Sequence, residues 1–351
     1  MDGKVLLAVD GNSLVHRAFH TRSGVGFRCA DGRPMWAVRG LVGQLLAAVD
    51  RVDPAVVVVG FDDPVCSRRR DTWPDYKAQR GEKARPLVEQ LATAVTVVAE
   101  LGVPVVVPSG LEADDVLAAA AGLARRNGFR SVLMTSDRDA FALIDETTSV
   151  LRIINGGVES SPLLTPQRLD LLLGIRPAQY PDFASLCGDP SDNLPGVRGI
   201  GPRTAARLLS ALGSAAAVFD DVDAGAAVTA TVVGPATVRA LAAPAARRRW
   251  TSNLEVMAHR ADIELGLQLA DLRPLPVPAV RRVFELLELP ATLPTALGVL
   301  SFHHEPGPAA ARPARTRPEE SARRLADRHR QRFPPLRRRP AESGQLALFA
   351  L

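Results

Sequence analysis

Four short runs of consecutive apolar residues, each closed by a polar or turn residue, set the rhythm of the first half of the chain. They are KVLLAVD (4–10), AVVVVGFD (55–62), VPVVVP (103–108) and SVLMTSD (131–137). Runs of this length without polar alternation predict strands buried on both faces, and the Ala/Leu-rich stretches between them predict crossover helices. The combination is α/β: a mostly parallel sheet flanked by helices. From about residue 165 the strand signal fades. TPQRLDLLLGI, PDFASLCG, TAARLLSALG and VRRVFELLELP, separated by Pro and Gly, predict a helical region instead. We divide the chain into an α/β domain (1–165), a helical region (166–303) and a tail (304–351). The tail is Pro, Ala, Arg and Glu with few apolar residues to offset ordering entropy, and is predicted to be disordered.

One connection departs from this rhythm. The segment from Asp62 to Pro86 is long and polar, and loops of that length in compact domains are functional or disordered. It carries Arg68, Arg69, Arg70, Lys77, Arg80, Lys83 and Arg85 around Trp73 and Tyr76. Basic side chains interleaved with aromatics suit a strand of nucleic acid, which offers phosphates and stacking faces. A solvated surface loop is the competing reading, and the run alone does not choose between them.

The carboxylates supply the chemistry. Asp10 closes the first strand and Asp62 the second; Glu112, Asp114 and Asp115 follow the third in GLEADD, and Asp137 and Asp139 follow the fourth in SDRD. In an open parallel sheet those ends lie along one edge, where sites of α/β proteins form. Asp189 and Asp192, in GDPSDN, begin the helical region. A single Asp at a strand end is often no more than a helix N-cap, but four successive strand ends bearing acids argue for convergence. Converging carboxylates repel unless cations neutralise them. An all-oxygen set without His or Cys selects hard ions, and two Mg²⁺ or Mn²⁺ ions ~4 Å apart are the arrangement that hydrolyses phosphodiesters.

Charge matters by where it lies. The net charge is +5, but residues 301–351 hold eleven arginines against Glu305, Glu319, Glu320, Asp327 and Glu342, so the body is slightly acidic overall. With its nine clustered acids set aside, the rest of the body is basic enough to line a phosphate-binding surface. Cys29, Cys66 and Cys187 are too scattered for a disulfide framework or a zinc site, which fits a reducing cytosol. The apolar opening is too short for a signal peptide, and no stretch reaches the ~18 residues of a membrane span, so a soluble cytoplasmic protein without membrane contact is expected. His16, His20, His303 and His304 receive no catalytic role, and Trp36 and Trp250 are assigned to packing.

DGNSLVHRAFH (10–20), FDD (61–63), WPDYKAQR (73–80), SGLEADDVL (109–117), TSDRD (135–139) and GDPSDNLPGVRGIGPRTA (188–205) together resemble, in order and spacing, the motifs of the bacterial 5′ to 3′ exonuclease and flap-endonuclease family. The likeness extends to about residue 300 and is most specific in the last motif. It implies a PIN-like domain with a helical arch at about 63–88, followed by a helix-three-turn-helix DNA-binding motif at about 186–212. It assigns Asp10, Asp62, Glu112, Asp114 and Asp115 to a first metal and Asp137, Asp139, Asp189 and Asp192 to a second. It puts Tyr76, Lys77 and Arg80 in the arch, against the 5′ strand and its phosphate, and Arg17 at a basic position near the catalytic centre. Lys77 has support within this chain: only Lys4, Lys77 and Lys83 are lysines, and an ammonium kept where arginine is otherwise the rule suggests a chemical need. Gly196, Gly199 and Gly201, followed by Pro202, read as a glycine turn opening a helix, which with Arg203 and Thr204 would bind duplex backbone through free N–H groups. A K⁺ ion at that hairpin is part of the family pattern.

The implied activity is a structure-specific 5′ to 3′ exonuclease and 5′-flap endonuclease, acting as a nucleoid-associated monomer on flaps, nicks, ends and RNA primers on DNA in replication or repair. Gln345, Leu346, Leu348 and Phe349, in QLALF, are similar to the peptide by which bacterial replication enzymes dock on the sliding clamp. Two rivals stand beside this reading: a noncatalytic binder of branched DNA and a PIN-type ribonuclease.

Overall fold

The computed structural model describes residues 4–22, 27–267, 269 and 274–301. The tail, including the 345–349 peptide, lies outside the described residues. Six strands form one sheet: β1 (Val5–Asp10), β2 (Val56–Gly60), β3 (Val105–Val106), β4 (Arg130–Thr135), β5 (Thr148–Arg152) and β6 (Leu163–Leu164). Their order is β3-β2-β1-β4-β5-β6, all parallel except β6, which pairs antiparallel with β5. Ala8 of β1 is in register with Val58 on one side and Leu133 on the other, so β1 is the inner strand at which the order reverses. In open α/β sheets such a switch point is where a crevice forms, and here it lies at the carboxyl ends of β1 and β4, next to that of β2.

Unbroken apolar runs make strands covered on both faces, and side-chain alternation divides each run between two layers. Leu7, Val9, Val57 and Val59 join one apolar core with helices α1 (Gly11–Arg22), α2 (Trp36–Val52) and, beyond the short α3 (Arg68–Thr72), α4 (Arg85–Glu100). Leu6, Ala8, Val56 and Val58 join the other with α5 (Ala113–Arg126). Helices of the later region enter both layers: Phe183, Leu208, Phe219 and Trp250 share the α5 side, whereas Val280, Val283 and Phe284 share the α2 side. The apolar core is therefore continuous across residue 165. Trp36 and Trp250 are both buried in these cores, with the Trp250 indole N–H held by Asp182 at 3.0 Å.

Sequence patterning anticipates β1 to β4 and the start of α4 near Pro86, but not β5 or β6. The apolar run SVLRII (149–154) marks β5 and was the available signal. Beyond residue 165 the only strands among the described residues besides this sheet are the two-residue pair Gly188–Asp189 and Leu194–Pro195. No helix among the described residues is long and apolar enough to cross a membrane.

Candidate metal centre

The acidic residues are built into the crevice by local hydrogen bonds. Asp10, the last residue of β1, accepts from the Ser13 N–H of α1 at 2.8 Å and from the Thr135 hydroxyl at the end of β4 at 2.7 Å, which ties the two inner strands together. Asp62, just beyond β2, accepts from the Ala113 N–H in the first turn of α5 at 2.9 Å and from the Asn12 amide at 2.5 Å. Asp137 accepts from the Asp139 N–H at 3.1 Å, and its own N–H donates to Thr135 at 3.0 Å. On the other wall, Asp189, Pro190 and Ser191 make a tight turn in which Asp189 accepts from Ser191 N–H at 2.7 Å.

The electrostatics of this set demand a counter-charge. Burial raises the Asp10 carboxyl to about 7, with Asp62 and Asp137 adding to the shift against the hydrogen bonds from Ser13 and Thr135. Burial and the neighbouring Asp10, Asp137 and Asp139 push Asp114 well above the ordinary carboxylate range, and one of its oxygens, Oδ1, is buried with no hydrogen-bond partner. Asp139 is raised in the same way by burial, Asp137, Asp192 and Asp189. One oxygen from each of Asp139, Asp189 and Asp192 lies within 4.8 Å of the others. A buried orphan oxygen beside an all-carboxylate cluster fits a hard divalent cation, which supplies the missing partner and makes full ionisation affordable.

The basic segment closes the other side. Residues 73–80 dock on the 189–193 turn: the Lys77 N–H donates to the Asp192 carbonyl at 2.9 Å, the Gln79 amide to the carbonyls of Pro190 and Ser191 at 3.0 and 3.1 Å, and the Asn193 amide to the Asp75 carbonyl at 2.8 Å. Lys77 has a left-handed backbone, φ 56°, unusual outside glycine and characteristic of functional sites. Its ammonium stands 3.1 and 3.2 Å from the two oxygens of Glu112 and 3.8 Å from Asp192. Arg80 contacts Asp192 at 2.5 Å. The buried Tyr76 donates its hydroxyl to Glu112 at 3.1 Å while its ring packs with Leu194 and Val256.

Tyr76, Lys77 and Arg80 are thus brought onto the carboxylates, whereas Arg17 is turned to Asn155, with 2.7 Å between Nη2 and Oδ1. Glu112 and Asp115 stand apart from the other acids in one respect: both are engaged by the guanidinium of Arg69, at 3.0 Å and at 2.7 and 2.9 Å. In the sequence Arg69 is one loop arginine among several, and Asn12, Thr135 and Asn193 carry no local signal, because their roles depend on contacts 50 to 125 residues distant.

The glycine turn rests on two close approaches. Gly188 has φ 73°, and a Cβ there would fall 2.2 Å from the Gly196 nitrogen; a Cβ on Gly196 would fall 2.1 Å from the Cys187 carbonyl oxygen. Gly196 therefore serves backbone packing. Gly199 and Gly201 face open space, and Gly201 precedes the helix Pro202–Leu212, whose first N–H groups receive no side-chain cap. Arg203 is exposed and Thr204 half-buried on its first turn.

Two family models match this chain: the N-terminal resolvase-like domain of 5′-3′ exonucleases over residues 5–169, and their C-terminal SAM fold over residues 175–277. The chain belongs to the 5′-3′ exonuclease family. It is 36% identical over 219 residues to DNA polymerase I of Mycobacterium tuberculosis, covering 62% of this chain and 24% of that protein. With the thermostable DNA polymerase I of Thermus aquaticus it shares 35% over 283 residues, covering 80% of this chain and 30% of the relative. The chain thus spans less than a third of the length of these relatives. Among solved structures it is similar in fold to the T5 D15 protein co-crystallised with metal ions (TM-score 0.58, 17% identity, 85% of this chain and 100% of that one). Flap endonuclease-1 from Methanococcus jannaschii is also similar (TM-score 0.53, 14% identity, 85% and 93%).

Proposed function

We propose that this chain is a divalent-metal-dependent nuclease that hydrolyses DNA at 5′ ends and at the base of 5′ flaps. The observation that carries the reading is the Asp114 oxygen, buried and unpartnered among carboxylates that cannot all ionise without added positive charge. Asp10, Asp62, Glu112 and Asp114 would hold one ion and Asp137, Asp139, Asp189 and Asp192 a second, with Mg²⁺ or Mn²⁺ as the ions the oxygen donors favour. Divalent ions held there would supply Lewis-acid activation of water and charge neutralisation at the phosphate.

The chain's own groups do the remaining work. Lys77 and Arg80, already on the acidic rim, can exchange a carboxylate for the scissile phosphate and stabilise the charge that develops on it. The Tyr76 hydroxyl orients Glu112. The uncapped start of the helix at Pro202, with Arg203 and Thr204, holds duplex backbone without reading its sequence, and the hairpin before it is where a K⁺ ion would sit. Arg17, held by Asn155, would offer the DNA a further cationic contact. Gln345, Leu346, Leu348 and Phe349 would dock on a sliding clamp through the tail that carries them, raising the local concentration of a monomeric enzyme on DNA.

The reading is tested on matched 5′-flap, 3′-flap and single-stranded RNA substrates in Mg²⁺, Mn²⁺ and EDTA. Metal-dependent cutting confined to the 5′-flap DNA is the expected result. Cutting of the RNA in preference identifies a ribonuclease, and binding of the flap without cutting in either metal identifies a noncatalytic binder of branched DNA.

A further inference from the structure

Arg69 lies at the junction of three segments that are far apart in sequence. It sits on α3, at the foot of the basic segment, with its side chain only 11% exposed. Nε donates to the Val256 carbonyl at 3.2 Å; Nη1 donates to Glu112 Oε2 at 3.0 Å and Asp115 Oδ2 at 2.9 Å; Nη2 donates to Asp115 Oδ1 at 2.7 Å and the Ala258 carbonyl at 3.1 Å. Those five bonds use all five donors of a guanidinium.

Asp115 is as fully committed as its partner. It is completely buried, and besides the fork from Arg69 it accepts the Arg260 N–H at 2.9 Å and the Glu112 N–H at 3.1 Å, the latter closing the capping box of α5. Four acceptor sites on a carboxylate are thereby filled by protein donors, which leaves Asp115 nothing to offer an ion. Glu112 keeps one oxygen, Oε1, clear of Arg69 and within 3.1 Å of the Lys77 ammonium.

We propose that Arg69 is a positioning residue that locks residues 256–260 of the helical region onto the start of α5, fixing Glu112 at the metal centre, and that Asp115 acts by holding Arg69 rather than by binding metal. This rests on the nuclease reading for its effect on rate, but not for its effect on structure. The geometry requires arginine: a lysine ammonium can reach one carboxylate but cannot span a bidentate carboxylate and two carbonyls at once. A displacement of Glu112 by about 1 Å is enough to cost on the order of 100-fold in rate.

The test uses the full chain with Arg69→Ala, Arg69→Lys and Asp115→Asn, read in two ways. Amide hydrogen exchange of the metal-free proteins should show residues 256–260, and the Arg260 N–H above all, exchanging faster in all three variants than in the wild type. Single-turnover flap cutting across a Mg²⁺ titration should fall on the order of 100-fold in Arg69→Ala and remain low in Arg69→Lys, with flap affinity changed less than about threefold. Added guanidinium should restore part of the rate to Arg69→Ala and none to Arg69→Lys. Pairing Arg69→Ala with Asp115→Asn should cost little more than either change alone, since both break one unit. Unchanged exchange at 256–260 overturns the proposal whatever the activity. So does a rate loss matched by an equal loss of flap affinity, the signature of a phosphate-binding arginine. If Arg69→Ala does not fold, Asp115→Asn, which keeps the shape and weakens the fork, carries the same two readouts. An inactive wild type would defeat the nuclease reading and leave the exchange result to decide the tether.

Discussion

The Lys77 ammonium bridges Glu112, 3.1 Å away, and Asp192, 3.8 Å away, and so joins the two groups of acids that flank the crevice. It does so from a left-handed backbone position fixed by the Lys77 N–H bond to the Asp192 carbonyl. A cation so held is pre-set to meet a phosphate that enters between the same acids. Lys77→Ala should lower the single-turnover rate of flap cutting by about 10²–10³-fold, the usual cost of removing one stabilising group from a developing oxyanion. Lys77→Arg should recover little of it, because the planar guanidinium does not fit a point-charge site. Quench-flow on a 5′-labelled flap measures both.

The raised carboxyl of Asp10 fixes the sign of a pH effect. Its value of about 7 lies above the ordinary 3.8, so the folded chain prefers the protonated form. The stability this contributes is complete below pH 3.8 and is lost as pH rises through about 7. In chelator, the melting temperature should therefore carry a downward contribution across that window. Mg²⁺ should restore more stability above pH 7 than below pH 5, since the ion binds the deprotonated set. Calorimetric melts with and without Mg²⁺ across this range report it, and a Mg²⁺ effect that does not grow with pH would contradict the assignment.

Gly188→Ala should destabilise the fold by roughly 3 kcal/mol, combining a backbone region closed to other residues with a Cβ driven against the Gly196 nitrogen. Because the 188–196 hairpin carries Asp189 and Asp192, flap cutting should fall with it. Denaturant melts give the first quantity and the cleavage assay the second.

Arg203→Ala is expected to behave differently from every change at the crevice. Exposed on the first turn of the Pro202–Leu212 helix, it should weaken binding to all duplexes alike and reduce the salt slope of binding by about 1, with the single-turnover rate at saturation unchanged. Fluorescence anisotropy over a salt series separates the two effects.

The legible parts of this chain were those set by short-range pattern. VLLAVD and AVVVVGFD declare themselves as buried parallel strands because no polar residue interrupts them, and their terminal acids then had to share an edge. Two kinds of feature stayed hidden. SVLRII sits between turn residues and is interrupted by Arg152, which hides β5 although its apolar content is close to that of β4. The roles of Arg69, Asn193 and Thr135 are tertiary: nothing in RRRDT distinguishes Arg69 from Arg68 or Arg70 until α3 turns one of the three toward Asp115. Likewise Glu112 and Asp115 read as equals from their helical spacing, and differ because the second takes the two-pronged fork of Arg69 together with the N–H groups of Arg260 and Glu112.

The most direct test of the account is single-turnover cleavage of a 5′-flap duplex by wild type, Asp114→Asn and Asp139→Asn, in Mg²⁺ and in EDTA. We predict cutting near the junction by the wild type in Mg²⁺ alone, and a loss of at least about 10²-fold in each variant with flap binding retained. Cutting that persists in EDTA, or that survives both substitutions, would contradict it.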